Sequence, residues 1–185
     1  MSRDVEILQA AAVLFRQRGY DAVGVDEIGQ AVGVTGPAIY RHFSGKDEIL
    51  GTLFDEGMDE VFRVTSNALD DPFESLEHIV REHALHVLRN PVIAGVWIHE
   101  SRALTAEYKR RYRRRAERYV ERWMDVLRRC YPEAPEATLL TITHSSIGSL
   151  NSVNSWPREL RDETNVETLV ALVMRGADAL AGARA

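Results

Sequence analysis

Between Thr35 and Lys46 the chain reads Thr-Gly-Pro-Ala-Ile-Tyr-Arg-His-Phe-Ser-Gly-Lys. Ile39 and Phe43 take the inward side of this segment, leaving Thr35, Ala38, Tyr40, Arg41 and His42 to face outward. Apart from Ala38, these side chains carry groups that suit phosphate oxygens and base edges. Arg41 has the geometry of a base reader, while Tyr40, His42 and Lys46 fit phosphate anchors. Gly36 leaves room for close approach of another surface. No nucleophile elbow, glycine-rich phosphate loop or metal-spaced His/Glu motif appears, so catalysis is not expected. His78, His83 and His86 share one predicted helix and His83–His86 has the i,i+3 spacing of a ligand pair, but no third ligand to join that pair can be identified, and no metal or cofactor is assigned.

The elements that must hold these residues are helical. Ile7, Leu8, Ala11, Leu14 and Phe15 recur at helical spacing and end at Gly19. Val25, Ile28 and Val32 mark a second, shorter helix that stops at Gly33, a position for positive φ. Val34 plugs the turn, Thr35 is the expected N-cap of a helix reaching Phe43, and Pro37 lies in its first turn, where a missing N–H costs nothing. Ser44 is expected to cap a fourth helix running to about Ala68, with Asp47 and Glu48 at its positive end. Further helices are predicted over residues 74–89, 92–104, 105–131, 135–155 and 166–181. The fold class is all-α, with about nine helices.

Bulk properties narrow the reading. The 185 residues are 45% hydrophobic and 28% charged, enough for one compact domain or two small ones. No window is apolar enough to span a membrane, and the N-terminus lacks a signal-peptide core. A lone Cys130 excludes an intramolecular disulfide and makes a reducing cytoplasm the default. The net charge of -5 argues on average against nucleic acid, and residues 1–50 hold five basic against seven acidic side chains. Local placement must therefore outweigh net charge, and a shallow salt dependence is expected. The largest concentration of positive charge is elsewhere: eleven basic and four acidic residues between Arg102 and Arg129. It reads either as a solvated helix face, with Glu117 and Glu121 paired to arginines, or as an anion-binding surface.

The run from Ile7 to Leu50 resembles the DNA-binding domain of the tetracycline-repressor (TetR) family. The matching pieces are Phe15 with Gly19-Tyr20, Val25-Asp26-Glu27-Ile28, Gly33-Val34, Ile39-Tyr40-Arg41-His42-Phe43 and Lys46-Asp47-Glu48-Ile49-Leu50. Gly24 departs from the family's usual Ser or Thr, and Gly29 from its usual alanine. The resemblance implies a helix-turn-helix domain over residues 1–50, with Thr35, Gly36, Ala38, Tyr40, Arg41, His42 and Lys46 as its DNA-binding residues. It implies an effector-binding and dimerisation domain over 51–185, whose first helix is the connector. The implied function is a regulator, usually a repressor, whose homodimer binds double-stranded operator DNA and is released by a small molecule. The alternative is a helical interaction protein that keeps the fold without specific DNA binding.

Glu100 shares a face with Trp97 and Leu104, so it points inward and needs a partner, on another helix rather than at Arg102. The resemblance places an effector among Trp97, Glu100, Trp123, Met124, His144 and Asn151, a set with apolar area and a few orienting polar groups. The basic helix favours an acidic or coenzyme A-linked ligand over a cationic one. Dimerisation is expected on the last two helices, with Leu169, Leu172, Val173 and Gly176 as one stripe and Gly148 opposite.

Overall fold

The computed structural model describes residues 2–66 and 69–181. Among these, nine α-helices and three short 3-10 turns occur and no strand. The helices are α1 (Arg3–Arg18), α2 (Val25–Ala31), α3 (Gly36–Ile39), α4 (Lys46–Val64), α5 (Pro72–Arg89), α6 (Pro91–Glu100), α7 (Ala106–Cys130), α8 (Glu136–Ser152) and α9 (Val166–Ala181). The expected end of the fourth helix, at Ala68, lies outside the described residues.

The chain divides into two compact units: Met1–Asp59 with Pro91–Arg114, and Glu60–Asn90 with Arg115–Ala185. In the first, Ile7, Ala11, Phe15, Ile28, Ile39, Ile49, Leu50 and Val96 bury their side chains in one cluster. The part of the chain holding the candidate DNA-reading residues therefore shares its core with α6, beyond the residue-50 boundary that marks the functional division expected from sequence.

Local chemistry accounts for the first helices. The Ser2 hydroxyl caps α1, and Gly19 ends it at φ 81°, donating its N–H to the Phe15 carbonyl. Gly24 starts α2 in extended conformation and donates its N–H to Glu27 Oε2 at 3.1 Å, half of a capping box without a side-chain cap. Gly33 follows the end of α2 at φ 71°, and the Val34 N–H turns back to the Gly29 carbonyl at 2.9 Å.

Two expectations change here. Thr35 occupies the N-cap position of α3, but its side chain makes no cap bond. The helix itself spans only Gly36–Ile39 and continues to Phe43 as hydrogen-bonded turns, because His42 and Phe43 both donate to the Ile39 carbonyl while Ile39 and Phe43 are held in the core. Likewise Ser44 does not cap α4 from the adjacent position; its N–H donates to Glu48 Oε2 at 2.6 Å, which lowers that carboxyl's pKa. Downstream, Asp71 caps α5 by accepting from the Phe73 and Glu74 amides, and Pro72 opens it, two residues before the predicted start.

On α4, Gly51 and Gly57 are seats for rings. A Cβ on Gly51 would overlap the Tyr108 ring, and one on Gly57 the Trp97 indole. Trp97 Nε1 also donates to the Leu53 carbonyl at 3.4 Å, and its ring stacks near Phe54. Gly57→Ala gains about 1 kcal/mol of helix propensity. Its methyl nevertheless enters the indole, and overpacking of this kind costs roughly 1–3 kcal/mol. The expected outcome is a lower melting temperature by calorimetry, partly restored when Trp97→Leu is added. A melting temperature raised by Gly57→Ala would contradict the seat.

Candidate functional site

α3 and the turns after it present an exposed edge. Thr35, Tyr40, Arg41 and His42 are exposed, Tyr40 at 58% of its surface, while Ala38 is half-buried. Arg41 has no ion-pair or hydrogen-bond partner among the described residues and extends from this edge as a free cation. His42 is steadied from behind, its Nδ1 lying 2.6 Å from Asp4 Oδ1 of α1. Arg3 reaches the same region, donating to the Val32 carbonyl at 3.2 Å.

Gly36 has a different task from the one expected. It is buried, and a Cβ there would overlap the Asp26 carboxylate of α2. Its missing side chain lets α3 approach α2 and leaves nothing open to an outside surface. Gly29 does the same from the other side, since a Cβ would come within 2.9 Å of the Val34 carbonyl oxygen.

Lys46 is also employed inside the protein. Its Nζ donates to the carbonyls of Tyr20 at 3.1 Å and Val23 at 3.2 Å, and sits 4.2 Å from the Tyr20 ring centre. The ammonium thus ties the start of α4 to the loop after α1, though its charge remains unneutralised by those carbonyls. Tyr20 closes the knot: its hydroxyl donates to Asp47, and burial together with that carboxylate raises the phenol pKa.

The six expected effector residues are divided between the two units. Trp97 and Glu100 belong to the first unit, where Glu100 Oε2 accepts the Tyr20 N–H at 3.3 Å. That is the partner on another element that Glu100 needed, and it is a backbone amide. Trp123, Met124 and Asn151 belong to the second unit, and His144 points to solvent from α8.

Within that second unit, a buried polar cluster surrounds Trp123. His83 of α5 lies 2.9 Å from the Tyr119 hydroxyl through Nδ1 and 3.0 Å from Asn151 Oδ1 through Nε2. One neutral tautomer satisfies both: Nε2–H donates to the amide oxygen, and Nδ1 accepts from the phenol. Thr143 Oγ1 contacts Met124 Sδ at 3.3 Å. The Trp123 indole N–H is buried beside the Tyr119 hydroxyl, but no hydrogen bond of good geometry forms to it among the described residues, and the two rings meet edge-on. The resemblance put Trp123, Met124 and Asn151 forward but not His83 and Tyr119, whose helical registers carry no sign that they meet.

Burial pushes the His83 pKa down to about 4, so the imidazole stays neutral in the folded chain. The unfolded chain titrates this group near 6.5 and binds the extra proton first. The corresponding stability is complete above about pH 6.5 and is lost as pH falls toward 4. At pH 5 the loss is about 2 kcal/mol relative to pH 7. His83→Gln should therefore lose less stability between pH 7 and pH 5 than the wild type in urea titrations. Equal losses in the two proteins would place the acid sensitivity elsewhere.

The chain matches two family domains in order. Residues 7–53 match "Bacterial regulatory proteins, tetR family", and residues 69–176 match "Tetracyclin repressor-like, C-terminal domain". The transcriptional activator FasR of Mycolicibacterium smegmatis is 38% identical over 64 residues, covering 35% of this chain and 29% of FasR. The matched regions span between 29% and 54% of the length of the curated relatives. Among solved structures, PfmR of Thermus thermophilus superposes with a TM-score of 0.85 at 24% identity, over 95% of this chain and 97% of that one. AibR, in complex with isovaleryl coenzyme A and operator DNA, gives 0.79 at 23% identity, over 92% and 97%. With the two domains matched in order over most of its length, the chain belongs to the TetR family of bacterial regulatory proteins.

Proposed function

We propose that this protein is a ligand-responsive transcriptional regulator that binds double-stranded operator DNA as a homodimer and releases it when a small organic effector binds. The observation that carries this reading is the free, exposed Arg41 beside Thr35 and Tyr40 on an α3 edge fixed by α1 and α2. In this reading residues 1–50 read DNA, Arg41 contacts a base edge, and Tyr40 and His42 contact phosphates. Lys46 contributes mainly by holding the start of α4 in place. Residues 51–185 bind effector and dimerise, and the site of action is the bacterial cytoplasm.

For the effector, the buried cluster of the second unit is the better-supported recognition point. Trp123 and Met124 offer apolar area, while His83, Asn151 and the unsatisfied Trp123 N–H offer polar groups to orient an acceptor such as a carbonyl. AibR's coenzyme A thioester is a ligand of that chemical type. To empty an operator, the effector must favour the non-binding conformation by several kcal/mol, since coupling is limited by differential affinity.

A homodimer is supported by an open groove of about 230 Å³ between α8 and α9, lined by Ile142, Ser146, Leu172, Val173, Gly176 and Leu180. Leu172 and Leu180 expose 61% and 62% of their surface there. Gly148 is open, with nothing within 4 Å of where a Cβ would stand, as an element facing a second copy requires. Replacing both Leu172 and Leu180 with Glu should convert a dimer to monomer at micromolar concentration in sedimentation. A wild-type monomer under those conditions would remove the two-half-site mechanism.

Gel shifts with the gene's own upstream intergenic DNA test the DNA reading. Arg41→Ala should weaken specific binding by about 1–3 kcal/mol and relax preference at one base position, without changing the melting temperature. Lys46→Ala should lower both affinity and melting temperature, because it removes the strut to Tyr20 and Val23. Absence of any specific shift by the wild type would instead favour an interaction protein that keeps the fold.

A further inference from the structure

The basic run of α7 is not one surface. Arg111 pairs with Asp55, Arg118 lies over the Phe62 ring, and Arg122 donates to the Thr65 carbonyl. Arg128 is shared among Glu121, Asp125 and Glu136, and Arg129 donates to the Asp70 carbonyl at 3.0 Å. All five tie α7 to its surroundings, Arg111 and Arg128 through carboxylates and Arg118, Arg122 and Arg129 through a ring or backbone carbonyls.

Lys109, Arg110, Arg113 and Arg114 are different. All four are exposed, and none has a carboxylate partner among the described residues. Lys109 Nζ donates only to the Arg102 carbonyl, at 3.1 Å, which leaves its charge unbalanced. Their spacing of i, i+1, i+4 and i+5 gathers them on one side of the helix. Glu107 stands three residues before Arg110 and Glu117 four after Arg113, yet neither makes an ion pair with this face among the described residues, whereas Glu121 and Asp125 both close on Arg128.

The same compact unit contains the candidate DNA-reading edge, and that edge is poor in free positive charge. Of the five basic residues in its first 59, Arg3 pairs with Glu6 and Arg18 with Glu27, leaving Arg16, Arg41 and Lys46 against ten acidic residues in the same stretch. Six of the unit's eleven basic residues come from the segment Pro91–Arg114, against only two of its twelve acidic ones. A duplex that meets this unit finds little attraction at the helix-turn-helix and a concentrated cationic face on α7.

We propose that the face formed by Lys109, Arg110, Arg113 and Arg114 is a second, sequence-independent contact for the DNA phosphate backbone. This rests on the DNA-binding reading above and adds to it the source of the electrostatic attraction. Phosphates neutralised there release condensed counterions, so the face contributes equally on operator and on random duplex, whereas Arg41 contributes to sequence choice.

The test uses the full chain and two double variants of equal charge: Arg110→Gln with Arg113→Gln on the face, and Arg63→Gln with Arg158→Gln in the other unit as control. Binding to the upstream intergenic duplex and to a random duplex of equal length is measured by fluorescence anisotropy across a salt series. The face variant should show a salt slope shallower by about 0.9 for each phosphate contact removed, and on the order of tenfold weaker binding at low salt, on both duplexes. The control should keep the wild-type slope. If the wild type binds the intergenic duplex specifically and the face variant retains its slope and affinity, the face proposal is overturned while the regulator reading stands. The same follows if face and control variants lose equally, since that is an effect of net charge alone. If the wild type shows no sequence preference but the face variant still loses its slope, the face is upheld and the specific-operator reading fails.

Discussion

A helix of four residues cannot hold itself together in water, because nucleation fixes several residues for very few hydrogen bonds. The geometry of α3 is therefore set by what it packs against. Ile39 and Phe43 enter the core of the first unit, and the glycines at 29 and 36 let the turn backbone and α2 come within van der Waals distance. Everything the exposed edge can do depends on that close approach. Side chains as different as Thr35, Tyr40 and Arg41 can vary freely outward only because the inward positions are so tightly determined.

The second constraint is the loop after α1. Tyr20 receives Lys46 on its carbonyl and ring, gives its hydroxyl to Asp47, and gives its amide to Glu100. Three elements, the α1–α2 loop, α4 and α6, thereby meet at one residue. Each contact is polar and charge-assisted, and therefore stronger than a neutral hydrogen bond. An element such as α6 that shares Tyr20 with the reading edge can influence how that edge is held. The ring seats at Gly51 and Gly57 add a steric component to the same assembly.

The second unit follows another logic. Its core is mixed, with a neutral His83 joined to Tyr119 and Asn151 among aromatic rings. Buried polar groups of this kind must be satisfied or they are costly, and the Trp123 N–H is the one in this cluster that the protein leaves without a bond of its own. At the periphery, Arg81 pairs with Glu77 of its own helix and with Glu167 in the first turn of α9, and Arg89 pairs with Glu163 just before α9. These are exposed and individually weak, so the apolar contacts of α5 with α8 and α9 dominate the stability of the unit.

The residue pattern alone determined the helices and the turn. Periodicity located every long helix, because an amphipathic stripe is a property of one segment. Gly19 and Gly33 marked their positive-φ stops, because only glycine adopts that conformation without strain. The family was legible for the same reason: its signature lies in one continuous run. What the sequence could not decide was how polar side chains are employed. Lys46, His42, Glu100 and Gly36 all have residue types suited to a ligand, yet three of them satisfy partners elsewhere in the chain and Gly36 makes room for Asp26. The effector set divided between the two units, and His83 and Tyr119 entered it, because hydrogen bonds between residues 36 and 68 positions apart are created only by packing. The basic run was resolved for that reason too. Whether an arginine is a strut or a free charge depends on which carboxylates and carbonyls the tertiary structure brings within its reach.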